Sequence, residues 1–359
     1  MKTRRRNHGG RAAPSVRVVS IGIAVALAAS ACSSRADDQP VVIVADGFST
    51  SHPFYEYGTS VFVDELERNG PGVGLAVESF PSAQLGAFDD MPTMLTSGIS
   101  DLSPIVPAYL SATAPMSSVF DLPGYAEDAC TGARAMSRTL EEGSTLRTEE
   151  IDKFDVRPLY TAFLTGYELM TSEPVTDPRG QGGDILRSPG GAVDRVVEEM
   201  GAAGVSMPLS DLYEAVSRGT AEGTVASPTS MAPYGLAEVL RNSTVGSELG
   251  SVGVIYSMSD AKWDRLDDRQ KAVVTNAGSA AQQSLCAALN RLLPESTAQM
   301  EQEGTTLHRL TPEEKLRWSD EVTIPARNNW RTDLDSMGLP ASAVLAEWEA
   351  ALEQERARE

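Results

Sequence analysis

The chain has 359 residues, with 30 Lys and Arg against 50 Asp and Glu, for a formal net charge of -20 at pH 7. Hydrophobic residues at 41% and charged residues at 22% fit a globular protein and exclude a disordered one. An acidic balance of this size excludes a nucleic-acid binder, because neutralising phosphates requires a basic face.

The charge is unevenly placed. Residues 1–31 hold six basic residues (Lys2, Arg4, Arg5, Arg6, Arg11, Arg17) and no acid, so without them 24 basic residues face 50 acidic ones, or -26. The apolar run from Val18 to Ala31 is shorter than the roughly 20 residues that cross a bilayer and has the length of a signal-peptide core. Ala29, Ser30 and Ala31 directly before Cys32 resemble the bacterial lipoprotein box, in which that cysteine becomes the lipidated first residue. The expectation is a lipoprotein signal peptide over 1–31 and a polar tether over 32–40. The protein would then lie outside the cytoplasm, held to the membrane only through Cys32. In an oxidising compartment Cys130 and Cys286 can pair or remain thiols, and their spacing does not decide between the two.

The remaining chain, roughly 320 residues, is long enough for two domains. The continuous apolar run at 41–45 reads as a buried strand, followed by a helix over 53–69, an alternating strand over 73–80, a helix over 88–97 and a short strand over 101–106. This β-α-β-α-β order implies a mostly parallel sheet flanked by helices. A helix near 126–142 leads to a strand at 156–163. The alternation then repeats, with strands at 184–187, 205–207 and 223–226 and helices at 192–203 and 211–218. A strand at 250–257 precedes a helix opened by Ser259 and Asp260, and Asp267 is positioned to cap a longer helix reaching at least Leu293, where Pro294 kinks or ends it. Residues 312–358 are helical by composition, and Trp318, Trp330 and Trp348 read as packing anchors there.

The parts that catalysis most often uses are missing. Beyond the leader only His52 and His308 remain, and there is no nucleophile elbow, Walker loop, dinucleotide fingerprint or zinc-helix motif. Acid pairs such as Asp89-Asp90 and Glu198-Glu199 read as solvated helix faces. No enzyme activity, cofactor or metal is therefore expected. One cation stands out by position. Arg187 ends a short apolar strand just before a helix, where α/β sheets gather ligands and where a guanidinium can grip a carboxylate with two parallel hydrogen bonds.

Six segments in register bring a family into view. They are His52-Pro53, Phe80-Pro81-Ser82-Ala83-Gln84-Leu85-Gly86, Gly98-Ile99-Ser100-Asp101, Val119-Phe120-Asp121-Leu122-Pro123, Ile185-Leu186-Arg187-Ser188-Pro189 and Asp260-Ala261-Lys262-Trp263-Asp264-Arg265-Leu266. Over about Val41 to Leu289 the chain resembles the solute-binding proteins of tripartite ATP-independent periplasmic (TRAP) transporters. The resemblance implies an α/β, periplasmic-binding-protein-like clamshell of two domains with mostly parallel sheets and a long C-terminal helix bridging them. The expected division is 41–163 with part of 250–293, 164–249 with part of the C-terminal segment, and C-terminal helices over 294–359.

It also implies a solute enclosed between the domains, Arg187 as the partner of its carboxylate, and the membrane subunits of a TRAP transporter as the protein partner. Gln84 and Tyr167 fall in segments that resemble cleft segments of the family, and Tyr109, Tyr234 and Ser227 are further candidate contacts. His52 reads as a turn or cap residue. The chain departs from the family pattern at Glu168, where many relatives carry a second arginine, at Ala226-Ser227-Pro228, where many have Asn before the proline, and at Gly124, where an aromatic is usual. Two lost donors argue for a small organic monocarboxylate over a dicarboxylate, with Glu168 placed to meet a cationic or hydroxylated part. A binding protein for an ABC importer or a sensor would share the architecture, and a surface-tethered hydrolase is the enzymatic alternative.

Overall fold

The computed structural model describes residues 40–125, 128–175 and 177–358, which belong to one compact unit. The expected signal peptide, Cys32 and all of the tether but Pro40 lie outside the described residues. Strands follow in chain order as β1 (Val41–Ala45), β2 (Ala76–Phe80), β3 (Leu102–Ile105), β4 (Val156–Leu164), β5 (Glu168–Thr171), β6 (Ile185–Ser188), β7 (Ala203–Ser206), β8 (Gly223–Ala226), β9 (Asn242–Val245), β10 (Val252–Ser259) and β11 (Thr306–Arg309). They form two sheets, ordered β2-β1-β3-β10-β4 and β11-β9-β5-β8-β6-β7.

The α/β clamshell expectation holds, with one adjustment: both sheets are mixed. In the first, β1 is parallel to β2 and β3, while β10 is antiparallel to β3 and β4. In the second, β6 is parallel to β7 and β8 and β9 to β11, while β5 is antiparallel to β8 and β9. Connectivity explains the mixture. The chain leaves the first sheet at the end of β4, builds most of the second, and re-enters the first through β10 beside its exit. The two crossing segments, 165–167 and 246–251, are bonded to each other: the Leu249 amide donates to the Tyr167 carbonyl at 2.9 Å and the Tyr167 amide to the Gly250 carbonyl at 3.4 Å.

The apolar run predicted as a buried strand is β1, which pairs on both edges, with Val42 and Val44 fully buried. The Asp267 cap is present: its carboxylate accepts from the Arg269 and Gln270 amides, and Gln270 returns a bond to the Asp267 amide. The helix it opens runs from Asp268 to Gln302 through Pro294 and hands the chain directly to β11 in the second sheet. Strands β9 and β11 were not anticipated, because they are four residues each and carry Asn, Ser, Thr, His and Arg rather than an apolar run. Trp318, Trp330 and Trp348 are buried anchors as expected. Trp348 packs on Phe120 and Phe163, and Trp330 donates from Nε1 to Ser118 Oγ at 2.8 Å.

Cys130 and Cys286 form a disulfide that joins the helix Ala129–Thr139 to the long helix. Closing a loop of this length restricts the unfolded chain. Replacing both cysteines with serine is expected to lower the unfolding free energy by about 2–5 kcal/mol in denaturant titrations. Alkylation of two thiols in the non-reduced, unfolded protein would contradict the pairing.

Candidate functional site

The carboxyl ends of the strands converge on one enclosed cavity. Its walls are Phe48, His52 and Phe54 from the loop after β1, Val106 and Tyr109 after β3, Leu164 and Tyr167 at the first crossing, Val252 at the second, Arg187 on β6, Leu209 after β7, and Ser230 and Tyr234 after β8. The free space they enclose is about 30 Å³, on the order of one or two waters, so an organic acid enters only once the walls part. Both sheets therefore contribute walls.

Arg187 is the sole formal charge among these residues and is 1% exposed. Its Nε donates to the Met207 carbonyl at 2.8 Å, which fixes the plane of the guanidinium, while Nη2 is buried with no hydrogen-bond partner among the described residues. No carboxylate lines the cavity. A buried cation left this way is costly unless an anion arrives. The opposing wall is aromatic. Phe48 stacks on His52 at 4.6 Å and on Phe54 at 4.7 Å, Phe88 meets Phe48 edge-on at 4.7 Å, and Tyr109 lies 5.4 Å from Phe88. Burial pushes the Tyr167 and Tyr234 phenols up, so both stay neutral hydroxyls, although Arg187 pulls each partly back.

The loop that presents these rings is held by Asp46. One carboxylate oxygen accepts from the Phe48 amide at 2.8 Å and the other from Thr59 Oγ1. The loop after β6 is equally constrained. Gly190 has φ +106°, and a Cβ there would stand 2.3 Å from the Ala108 carbonyl oxygen in the loop after β3. Only glycine lets the two sheets' loops meet this closely.

Of the residues singled out in the sequence, Arg187, Tyr167, Tyr109 and Tyr234 are brought together. Gln84 is not: it sits exposed in the turn after β2. Ser227 is buried beside Thr229, its hydroxyl 3.0 Å from Thr229 Oγ1, and is not a wall of the cavity. Glu168 is turned away from Arg187. Its carboxylate accepts from the Gly246 amide at 2.7 Å, from the Ser247 amide and hydroxyl at 3.1 and 2.6 Å, and from Thr244 Oγ1 at 2.8 Å. With its carboxylate taken by the 244–247 segment it holds the second crossing and does not reach the cavity, where Tyr167, just before β5, is the wall. Phe48, Phe54 and Ser230 were missed, and His52, read as a turn residue, is both turn and wall. A phenylalanine on each side of His52-Pro53 was the available signal.

Residues 45–331 match the family described as DctP, bacterial extracellular solute-binding protein, family 7. The chain belongs to that family. A solute-binding protein of Albidiferax ferrireducens is 22% identical over 221 residues, which are 61% of this chain and 64% of that protein, so the chain spans just under two thirds of that relative's length. Solute-binding protein RD1_1052 of Roseobacter denitrificans is 24% identical over 79% of this chain and 86% of its own, and its structure with bound L-galactonate superposes with a TM-score of 0.70 at 19% identity, covering 83% and 97% of the two chains. A marine metagenome TRAP solute-binding protein specific for aromatic acid ligands, in complex with metahydroxyphenylacetate, superposes with a TM-score of 0.79 at 18% identity, covering 88% of this chain and 99% of that one. Family 7 is thus the frame in which the cavity is placed. Among the described residues no helix is long and apolar enough to cross a membrane.

Burial raises the Asp46 carboxyl from 3.8 to about 7, against the lowering effect of Thr59 and the Phe48 amide. The folded protein therefore holds a proton that the unfolded chain releases near pH 4, and this contribution to stability is lost as pH rises from about 4 to 7. Urea unfolding of wild type and Asp46→Asn is expected to show the difference shifting toward the variant by up to about 1.4 kcal/mol per pH unit over that window and then levelling. The opposite-signed effect of His52, lowered by burial to about 3, cancels in this comparison. A difference independent of pH would contradict an Asp46 protonated in the fold.

Proposed function

We propose that the protein captures a small aromatic monocarboxylate between its two sheets and delivers it to the membrane subunits of a TRAP transporter. The observation that carries this reading is the Arg187 guanidinium, fixed by Met207, unpaired at Nη2, and facing a cavity walled by aromatic rings. A ligand carboxylate supplies the missing anion through charge-assisted hydrogen bonds. The rings favour a flat apolar body.

The fold alone does not choose the acid, since RD1_1052 holds L-galactonate and the marine protein metahydroxyphenylacetate on similar frames. The walls do. A sugar acid needs a polar partner for nearly every hydroxyl, and five of the twelve lining residues are Phe or Tyr, with Val106, Leu164, Leu209 and Val252 filling much of the rest. A dicarboxylate would bury a second charge with no second cation to meet it. With no acid on the cavity wall and Glu168 engaged at the crossing, a cationic group on the ligand has no partner either. Secretion and lipid attachment through Cys32, read from the leader, complete the proposal: a tethered extracytoplasmic receptor that performs no chemistry.

Calorimetric titration of wild type, Arg187→Ala and Arg187→Lys with benzoate tests the reading. Removing one member of a buried ion pair costs about 3–5 kcal/mol, so Kd is expected to rise by roughly two to three and a half decades in the alanine variant. Lysine restores the charge without the planar fork and is expected to recover only part of the loss. An Arg187→Ala protein that binds within a few-fold of wild type, or a wild type that prefers succinate, would overturn it.

A further inference from the structure

The cavity wall carries a second polar pair. His52 Nδ1 faces the Phe54 amide at 3.3 Å and accepts from it, which places the ring proton on Nε2. That nitrogen lies 3.5 Å from Ser230 Oγ, beyond the 2.7–3.2 Å of a well-made N–H···O bond. Both side chains are 3% exposed. Each comes from a different sheet, His52 from the loop after β1 and Ser230 from the segment after β8, and each keeps unused bonding capacity toward the enclosed space. The imidazole lies against Phe48 and Phe54, at 4.6 and 5.3 Å, with Tyr234 at 5.7 Å, and the Phe54 amide bond fixes its donor direction.

We infer that His52 and Ser230 form a hydroxyl-recognition pair, which makes the preferred ligand a hydroxy-substituted aromatic monocarboxylate. This rests on the reading of the Arg187 cavity given above and narrows it. A phenolic or benzylic hydroxyl placed between the two accepts from His52 Nε2–H and donates to Ser230 Oγ, bridging the sheets. Burial keeps the imidazole neutral, lowering it to about 3. A neutral single donor suits a hydroxyl and does not suit a second carboxylate, which separates this pair from Arg187.

The test is a set of calorimetric titrations with benzoate, the three monohydroxybenzoates, phenylacetate and mandelate. These are run on wild type, on His52→Phe, which keeps a ring against Phe48 and Phe54, and on Ser230→Ala, which removes a single oxygen should the first variant fold poorly. At least one hydroxylated acid is expected to bind wild type about tenfold tighter than its unsubstituted parent, the scale of one well-placed hydrogen bond. Each variant is expected to bring that ratio to within about threefold, chiefly by weakening the hydroxylated acid. Wild type binding the unsubstituted parents as tightly as every hydroxylated acid, or variants that keep the wild-type ratio, would overturn the inference while leaving the carboxylate site standing. Binding of none of these acids would overturn both.

Discussion

The site depends on one interaction left incomplete: a guanidinium that the fold buries and aligns but does not neutralise. Arg187 sits on β6, an interior strand of its sheet, with β7 and β8 on either side, so its backbone is fixed before the side chain is considered. The Met207 carbonyl then takes Nε and leaves the far side of the fork to the cavity. Burial keeps three neighbours on the cavity wall neutral, His52 by loss of its proton and Tyr167 and Tyr234 by keeping theirs. A positive potential in a low-dielectric enclosure acts strongly on an anion. No acid stands on this wall, although Asp194 lies near enough to interact with Arg187, and Asp121 and Asp46 with Tyr167 and Tyr234.

Such a site works only if its two halves meet, and the chain's connectivity makes that possible. The crossings at 165–167 and 246–251 run side by side, hydrogen-bonded to each other. Glu168 fastens the turn at 244–247 to the start of β5 with four donors on one carboxylate. The long helix forms a third link, tied to the Ala129–Thr139 helix by the disulfide and passing into β11 at its far end. Paired crossings of this kind let two bodies hinge with few backbone changes, and a ligand that touches both stabilises the arrangement in which they meet. Gly190 and Ala108 bring loops of the two sheets together.

How much of this was legible in the sequence follows from how local each signal is. Val41–Ala45, the Asp267 cap and the position of Arg187 at a strand end are written in a few consecutive residues, and the structure carries all three. Strands β9 and β11 depend on partners far along the chain and have no apolar pattern of their own. Glu168 was assigned to the cavity because it occupies a position where relatives carry an arginine, but its carboxylate is taken by the 244–247 segment while Tyr167, just before β5, is the wall. Gln84 follows the right strand yet lies on an exposed turn, and the neighbouring rings come from 48–54 instead. There the sequence shows a polar, proline-containing turn whose flanking phenylalanines, Phe48 and Phe54, were the local hint, and their place against His52 in the cavity wall comes from tertiary packing. The disulfide was undecided for the same reason, as only the packing of two distant helices brings Cys130 to Cys286.

The most direct measurement is a crystal structure of the protein grown with a monohydroxybenzoate. The account predicts a carboxylate within hydrogen-bond distance of Arg187, the aromatic ring against Phe48 and Tyr109, and Glu168 still bound to the 244–247 turn. A ligand bound in that cavity with its carboxylate away from Arg187, or bound only elsewhere on the chain, would contradict it.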